Sequence, residues 1–143
     1  MTGATSLPTR LEPLLPGAAE GDVLALESPL SFWGGVDPQT GRIIQVRHPQ
    51  CGAVIAGKVL AMPGTIGSSS SAAVLLELIR NGNAPAALIL HQPDAILLIG
   101  CMVGREMGWA YPPAFQLASQ AQAALPKARI ALSTDGAITA LPG

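Results

Sequence analysis

The sequence predicts a mixed α/β domain with a closed or stacked sheet, and three observations carry that reading. Short apolar runs of strand length recur at residues 22–27, 42–47, 53–62, 85–91 and 128–141. One stretch has helical spacing: Ala72, Leu75, Leu76 and Ile79 fall at i, i+3, i+4 and i+7. Strand and helix signals alternate too irregularly for a doubly wound nucleotide fold, so the apolar face of one sheet must be covered by a few helices.

Taken in order, residues 1–20 carry Pro8, Pro13 and Pro16 and read as an N-terminal arm or irregular edge, with residues 21–143 as one domain. Residues 22–27 read as a strand. Residues 28–41 follow with Phe32, Trp33 and the Gly34-Gly35 pair, then the turn Asp37-Pro-Gln-Thr-Gly41. A strand over 42–47 runs into a second turn, His48-Pro-Gln-Cys-Gly52. His48 in such a turn is more often structural or solvated than catalytic, and its nearness in sequence to Cys51 is not the geometry a Cys/His nucleophile needs. The strand at 53–62 ends at Pro63, Gly64 and Gly67, and a helix then opens on serines and closes near Arg80 with Gly82 as its C′ stop. Residues 85–91 read as a buried strand. Pro93-Asp94 starts a helix over the apolar run 95–104, with Pro93 near its first position and Cys101 as a small buried hydrophobe. Residues 109–113 form an irregular link, 116–124 a turn of helix or loop, and 128–141 a hairpin with Asp135-Gly136 as a type I′ turn.

Composition narrows the partners. Hydrophobic residues make up 49% of the chain and charged ones 12%, about half the usual charged fraction. So few charges cannot cover the surface of a compact domain, which implies burial against another subunit or domain. A net charge of −1 without a basic cluster argues against nucleic acid as a partner. The runs 84–90 and 95–103 are too short to span a membrane, and the first residues lack the charged-then-apolar pattern of a signal peptide. Cys51 and Cys101 lack metal-ligand spacing, and free thiols suit a cytoplasmic protein.

The chemistry concentrates at Met62-Pro-Gly-Thr-Ile-Gly-Ser-Ser-Ser-Ser71. A strand, a glycine loop and four hydroxyls at a helix N-terminus make an anion site, because free N–H groups and the positive helix end point the same way. The same run also reads as capping plus flexible loop. A phosphate loop is disfavoured, since no Lys follows the glycine.

Several unusual motifs occur in one order: Pro29-Leu-Ser-Phe-Trp-Gly-Gly-Val-Asp-Pro-Gln-Thr-Gly41, His48-Pro-Gln50, Gly57-Lys-Val-Leu60, Met62-Pro-Gly64, Gly67-Ser-Ser-Ser-Ser71 and Ala84-Pro-Ala-Ala87. Over roughly residues 20–105 the chain resembles the small, swivelling subunit of the aconitase X family. The resemblance implies a β/β/α swivelling domain like the mobile fourth domain of aconitase. It also implies a large partner subunit that carries iron or an iron–sulfur cluster, no metal ligand in this chain, and dehydration of a small hydroxy acid. Matched to the aconitase Gly-Ser-Ser-Arg loop, Ser68 becomes the catalytic base. Gly67, Ser69, Ser70, Ser31 and Phe32 become substrate contacts, and Ser71 a helix cap. Ser70 stands where aconitase has Arg, which removes a guanidinium clamp and argues against citrate or isocitrate.

The family dehydrates cis-3-hydroxy-L-proline to Δ1-pyrroline-2-carboxylate, or mevalonate 5-phosphate to trans-anhydromevalonate 5-phosphate. Archaeal small subunits of the second type tend towards Gly-Ser-Thr at the loop, so the all-serine run favours the first. Two other classes stay open. One is a non-catalytic mobile or regulatory domain whose loop docks a partner. The other is a swivelling phosphocarrier, which needs a reactive His in a glycine-rich turn, whereas Pro49-Gln50 follows His48.

Overall fold

The computed structural model describes residues 10–66 and 70–142. Along them run β1 (Glu12–Leu15), β2 (Ala19–Ala25), the short helical turn α1 (Phe32–Gly35), β3 (Val36–Asp37), β4 (Arg42–Ile43), β5 (Val59–Met62), α2 (Ser70–Asn81), β6 (Ala87–Leu90), α3 (Ala95–Glu106), β7 (Ala114–Gln116), α4 (Ser119–Gln122), β8 (Arg129–Leu132) and β9 (Ile138–Ala140).

β5 reads Val-Leu-Ala-Met and β6 reads Ala-Leu-Ile-Leu, with every residue buried. Successive side chains on a strand point to opposite faces, so each strand feeds two cores. Leu60, Met62, Leu88 and Leu90 pack with Leu75 and Leu78 of α2 and with Leu97 and Cys101 of α3. Val59, Ala61, Ala87 and Ile89 pack on the other side with Leu11, Phe115, Ile130 and Leu132. Cover on both faces is why these strands appear in the sequence as unbroken apolar runs.

The main sheet has the order β1-β7-β6-β5-β2-β8-β9. β2, β5, β6 and β7 are parallel, and β1, β8 and β9 are antiparallel to their neighbours. Its two edges return towards each other. Arg10 bridges Ala137, Leu11 N–H donates to Gly136 O at 2.7 Å, and Arg10 pairs with Asp135 at 3.0 Å. The sheet thus curls onto itself and delivers Leu11 into the inner core. Gly136 has φ +90°, and a Cβ there would run into the Leu11 carbonyl, so the closure needs glycine at this position.

α2 and α3 pack side by side on the outer face, as expected for the 95–104 run. Their approach is close at Gly100, where a Cβ would lie 3.1 Å from Ala72 O. Asp94, rather than Pro93, marks the start of α3. Its Oδ1 accepts from the N–H groups of Ile96 and Leu97, which makes Asp94 the N-cap and leaves Pro93 outside the helix.

One expectation is narrowed and two are corrected. Of the arm or irregular edge expected over residues 1–20, the described residues form the edge: β1 is an edge strand, and β2 runs through the expected boundary at residue 20. Prolines at 13 and 16 suit an edge, where one side of the strand has no ladder to feed. The strand expected over 42–47 stops after Ile43, because Ile44 and Gln45 turn their N–H groups to Gly35 O. The last hairpin has no two-residue turn. Leu132 pairs with Ile138, and residues 133–137 form the loop, where Asp135 accepts from the Ser133 hydroxyl and the Ala137 N–H while Gly136 receives Leu11.

Gly100→Leu forces a side chain into the α2–α3 contact. It should cost about 2–3 kcal/mol by overpacking, seen as a lower urea midpoint at unchanged slope. Met102→Leu, on the exposed face of the same helix, should leave the midpoint in place.

Candidate active site

β5 and β6 are adjacent and parallel, so Met62 and Leu90 end side by side. The chain leaves β5 through Pro63, Gly64, Thr65 and Ile66, and re-enters regular structure at Ser70, the first residue of α2. The expected base Ser68 and the expected contacts Gly67 and Ser69 lie outside the described residues.

The segment before them is fastened by polar contacts. Thr65 bridges Leu30, and the Thr65 hydroxyl donates to Asp94 Oδ2 at 2.6 Å. Asp94 Oδ1 meanwhile caps α3, so a single carboxylate joins the loop to that helix. Gln122 is buried, and its Nε2 donates to Met62 O at 2.9 Å and to Leu117 O at 3.0 Å. These bonds account for polar groups that would otherwise be buried and unmet.

His48 clamps the segment that precedes α1. Gln50 N–H donates to its Nδ1 at 3.0 Å, so the ring proton sits on Nε2 and is donated to Ser28 O at 3.0 Å. Gln50 adds two bonds of its own: it accepts from Glu27 N–H and donates to Ala25 O. His48 is buried with both nitrogens used, so it is structural, and it offers Cys51 no base. Cys51 is exposed, with its thiol 3.6 Å from Ile43 O. Cys101 is buried, and desolvation pushes its thiol up to about 12, as suits a small core residue.

The remaining expected site residues separate. Ser31 is half-buried, and its hydroxyl donates to Trp33 O at 2.8 Å. Phe32 is only 1% exposed and packs in the outer core. Ser70 is exposed at the start of α2. Ser71 lies inside the first turn, buried, with no partner for its hydroxyl among the described residues; it is not the helix cap. A helix-interior position, with Cβ turned towards the core, accounts for this.

A cavity of about 200 Å³ opens where β5 and β6 end, walled by Gly64, Thr65, Leu90, His91, Pro93 and Asp94. Ligands of open parallel sheets commonly bind at the carboxyl ends of the strands. His91 escaped the sequence reading because it looked like the last residue of a strand. The available signal was a polar side chain directly after four buried apolar ones.

Among the described residues, no group of three His, Cys, Asp or Glu could hold a metal, so they do not fit an iron site. No helix among them is long and apolar enough to cross a membrane.

A family model described as the aconitase X swivel domain matches residues 9–139. The chain belongs to the aconitase X swivel-domain family. Over 94 residues it is 47% identical to a cis-3-hydroxy-L-proline dehydratase of Pseudomonas aeruginosa, an alignment covering 66% of this chain and 16% of that protein. It is 39% identical over 99 residues to a phosphomevalonate dehydratase small subunit of Methanopyrus kandleri, covering 68% of this chain and 73% of the relative. The aconitase X swivel fold itself is matched by the holo-form crystal structure of Thermococcus kodakaraensis aconitase X, with TM-score 0.77 and 27% identity over 94% of this chain and 98% of that one.

Asp94→Ala removes the α3 cap and the Thr65 tether together, and should lower stability by about 1–2 kcal/mol in denaturant titration. Thr65→Val should show the smaller, tether-only part. Alkylation with iodoacetamide at pH 8 should label Cys51 in the native protein and Cys101 only after denaturation, as mass spectrometry would report.

Proposed function

We propose that this chain is the swivelling subunit of a cytoplasmic hydro-lyase that dehydrates cis-3-hydroxy-L-proline, with Ser68 as the base. Ser68 takes the α-proton, the bond from C3 to its hydroxyl breaks, and water leaves. The resulting enamine tautomerises to Δ1-pyrroline-2-carboxylate. The observation that carries this reading is positional: in the chain, the serine run follows buried β5 and leads into the 12-residue α2, and Gly64 and Thr65, just after β5, wall a cavity. A serine hydroxyl is a poor base unless its alkoxide is stabilised, and backbone N–H groups of Gly67, Ser69 and Ser70 at a helix N-terminus are suited to that task. Ser69 and Ser70 orient substrate. The 47% identity to the Pseudomonas dehydratase and the all-serine run support the choice of substrate.

The partner in this reading is a large subunit, as the names of the archaeal small-subunit relatives suggest. Iron or an iron–sulfur cluster belongs to that subunit, and no step assigned to this chain runs through it. Trp33 is 60% exposed and Ile66, directly before the loop, is 49% exposed; such apolar surface suits closure against another protein surface. A second reading, dehydration of mevalonate 5-phosphate, is supported by the match to the Methanopyrus small subunit.

The test uses the chain reconstituted with the aconitase-X-type large subunit and both substrates. The pair should form Δ1-pyrroline-2-carboxylate, trapped by aminobenzaldehyde, while this chain alone stays inactive. Ser68→Ala should keep assembly intact, lower kcat at least about a hundredfold, and abolish exchange of the α-proton with deuterated solvent. Turnover of mevalonate 5-phosphate alone would transfer the assignment to the second reading. A near-normal kcat in Ser68→Ala would leave the loop a docking element and not a base.

A further inference from the structure

We propose that the cavity at the ends of β5 and β6 is a subsite for one substrate oxygen, bound by the Nε2–H of His91. The inference rests on the hydroxyproline reading above and adds a residue to it. His91 follows β6, and its ring is held from the far side: Ser119 N–H donates to Nδ1 at 2.8 Å, while Gln116 Nε2 donates to the His91 carbonyl at 3.3 Å. A backbone N–H has no lone pair, so Nδ1 must be the acceptor, and the neutral ring carries its proton on Nε2. That Nε2–H has no partner among the described residues. The ring is half-buried and walls the cavity.

Two neighbouring polar groups are committed elsewhere: the Thr65 hydroxyl is spent on Asp94 Oδ2, and Asp94 Oδ1 is spent on α3. Gln92 also lines the wall, but its side chain is exposed, whereas the His91 ring is held by the Ser119 N–H, the first amide of α4, and so presents its donor from a fixed position. The described wall also bears no Lys or Arg, and it includes the Asp94 carboxylate. A phosphate dianion would meet a neutral donor and a like charge. A hydroxyl would meet a matched donor without that repulsion, and the single carboxylate charge of an amino acid, offset by its own ammonium, would meet less of it than a dianion.

His91→Asn separates this role from a structural one. The Asn Oδ1 can stand in for Nδ1 and accept from Ser119 N–H, but nothing replaces the Nε2–H. In the reconstituted complex the variant should keep its urea midpoint and raise KM for cis-3-hydroxy-L-proline about tenfold, with kcat changed much less. An unchanged KM in His91→Asn, with damage appearing only in His91→Phe, would overturn the proposal. A second arm needs no turnover. Imidazole 15N spectra of the complex should show the Nε2–H tautomer, and L-proline, but not inorganic phosphate, should shift the Nε2 signal. No response to L-proline, or a response to phosphate, would also overturn it. Wild-type turnover reports on the dehydratase assignment, and the proline titration reports on His91, so the two can fail separately.

Discussion

Burial of β5 and β6 on both faces is the constraint from which the rest of the domain follows. Strands with an apolar neighbour above and below can carry no functional group along their length. Chemistry can appear only where they end. Both end at the same edge because they are parallel and in register, from Val59 opposite Ala87 to Met62 opposite Leu90. The loop after β5 and the turn after β6 are therefore neighbours by construction. Thr65, after β5, and His91, after β6, are brought to one cavity by this pairing.

What the apolar core cannot do is fix the loop, and polar side chains take over there. Asp94 serves a helix cap and the Thr65 hydroxyl together. Gln122 reaches in from α4 to hold Met62 O, and the His48-Pro-Gln50 turn grips the chain at Ala25, Glu27 and Ser28. Each is a buried or half-buried group, and apart from the Thr65 hydroxyl their partners are backbone atoms. Such bonds contribute modestly when made and cost more when one partner is removed, so they define geometry more than they add stability. The swivel domain thus holds the segment directly after β5, with Thr65, on a rigid base.

The parts of the fold legible in the sequence were those set by local chemistry. α2 was visible in the spacing of Leu75 and Ile79 and in Gly82, and the buried strand β6 in an unbroken apolar run. The helix at 95–106 was visible once Pro93-Asp94 was taken as its start. The parts that were not legible depend on partners distant in the chain. β1 looks like a proline-rich arm because its ladder with β7 lies about a hundred residues away. Phe32 was expected as a substrate contact from the family resemblance, but a motif does not show whether its aromatic ring is buried, as it is here. Ser71 looked like a cap because a serine run gives no register of its own. His91 was invisible for a similar reason: only the position of Ser119 shows which ring nitrogen is engaged.

The seam between the two sheet edges has a consequence for how the chain acquires its shape. Arg10 and Leu11 meet their partners 125 residues later, at Asp135 and Gly136. During synthesis at about 5–20 residues per second, the early strands must wait many seconds before the last hairpin emerges from the ribosome. Until then Leu11 and the inner face of the half-built sheet stay exposed, with an unpaired strand edge beside them. A topology of such distant pairings folds slowly. The seam that ties the two sheet edges together in the finished domain is thus the part of the sheet that stays open longest while the chain is still growing.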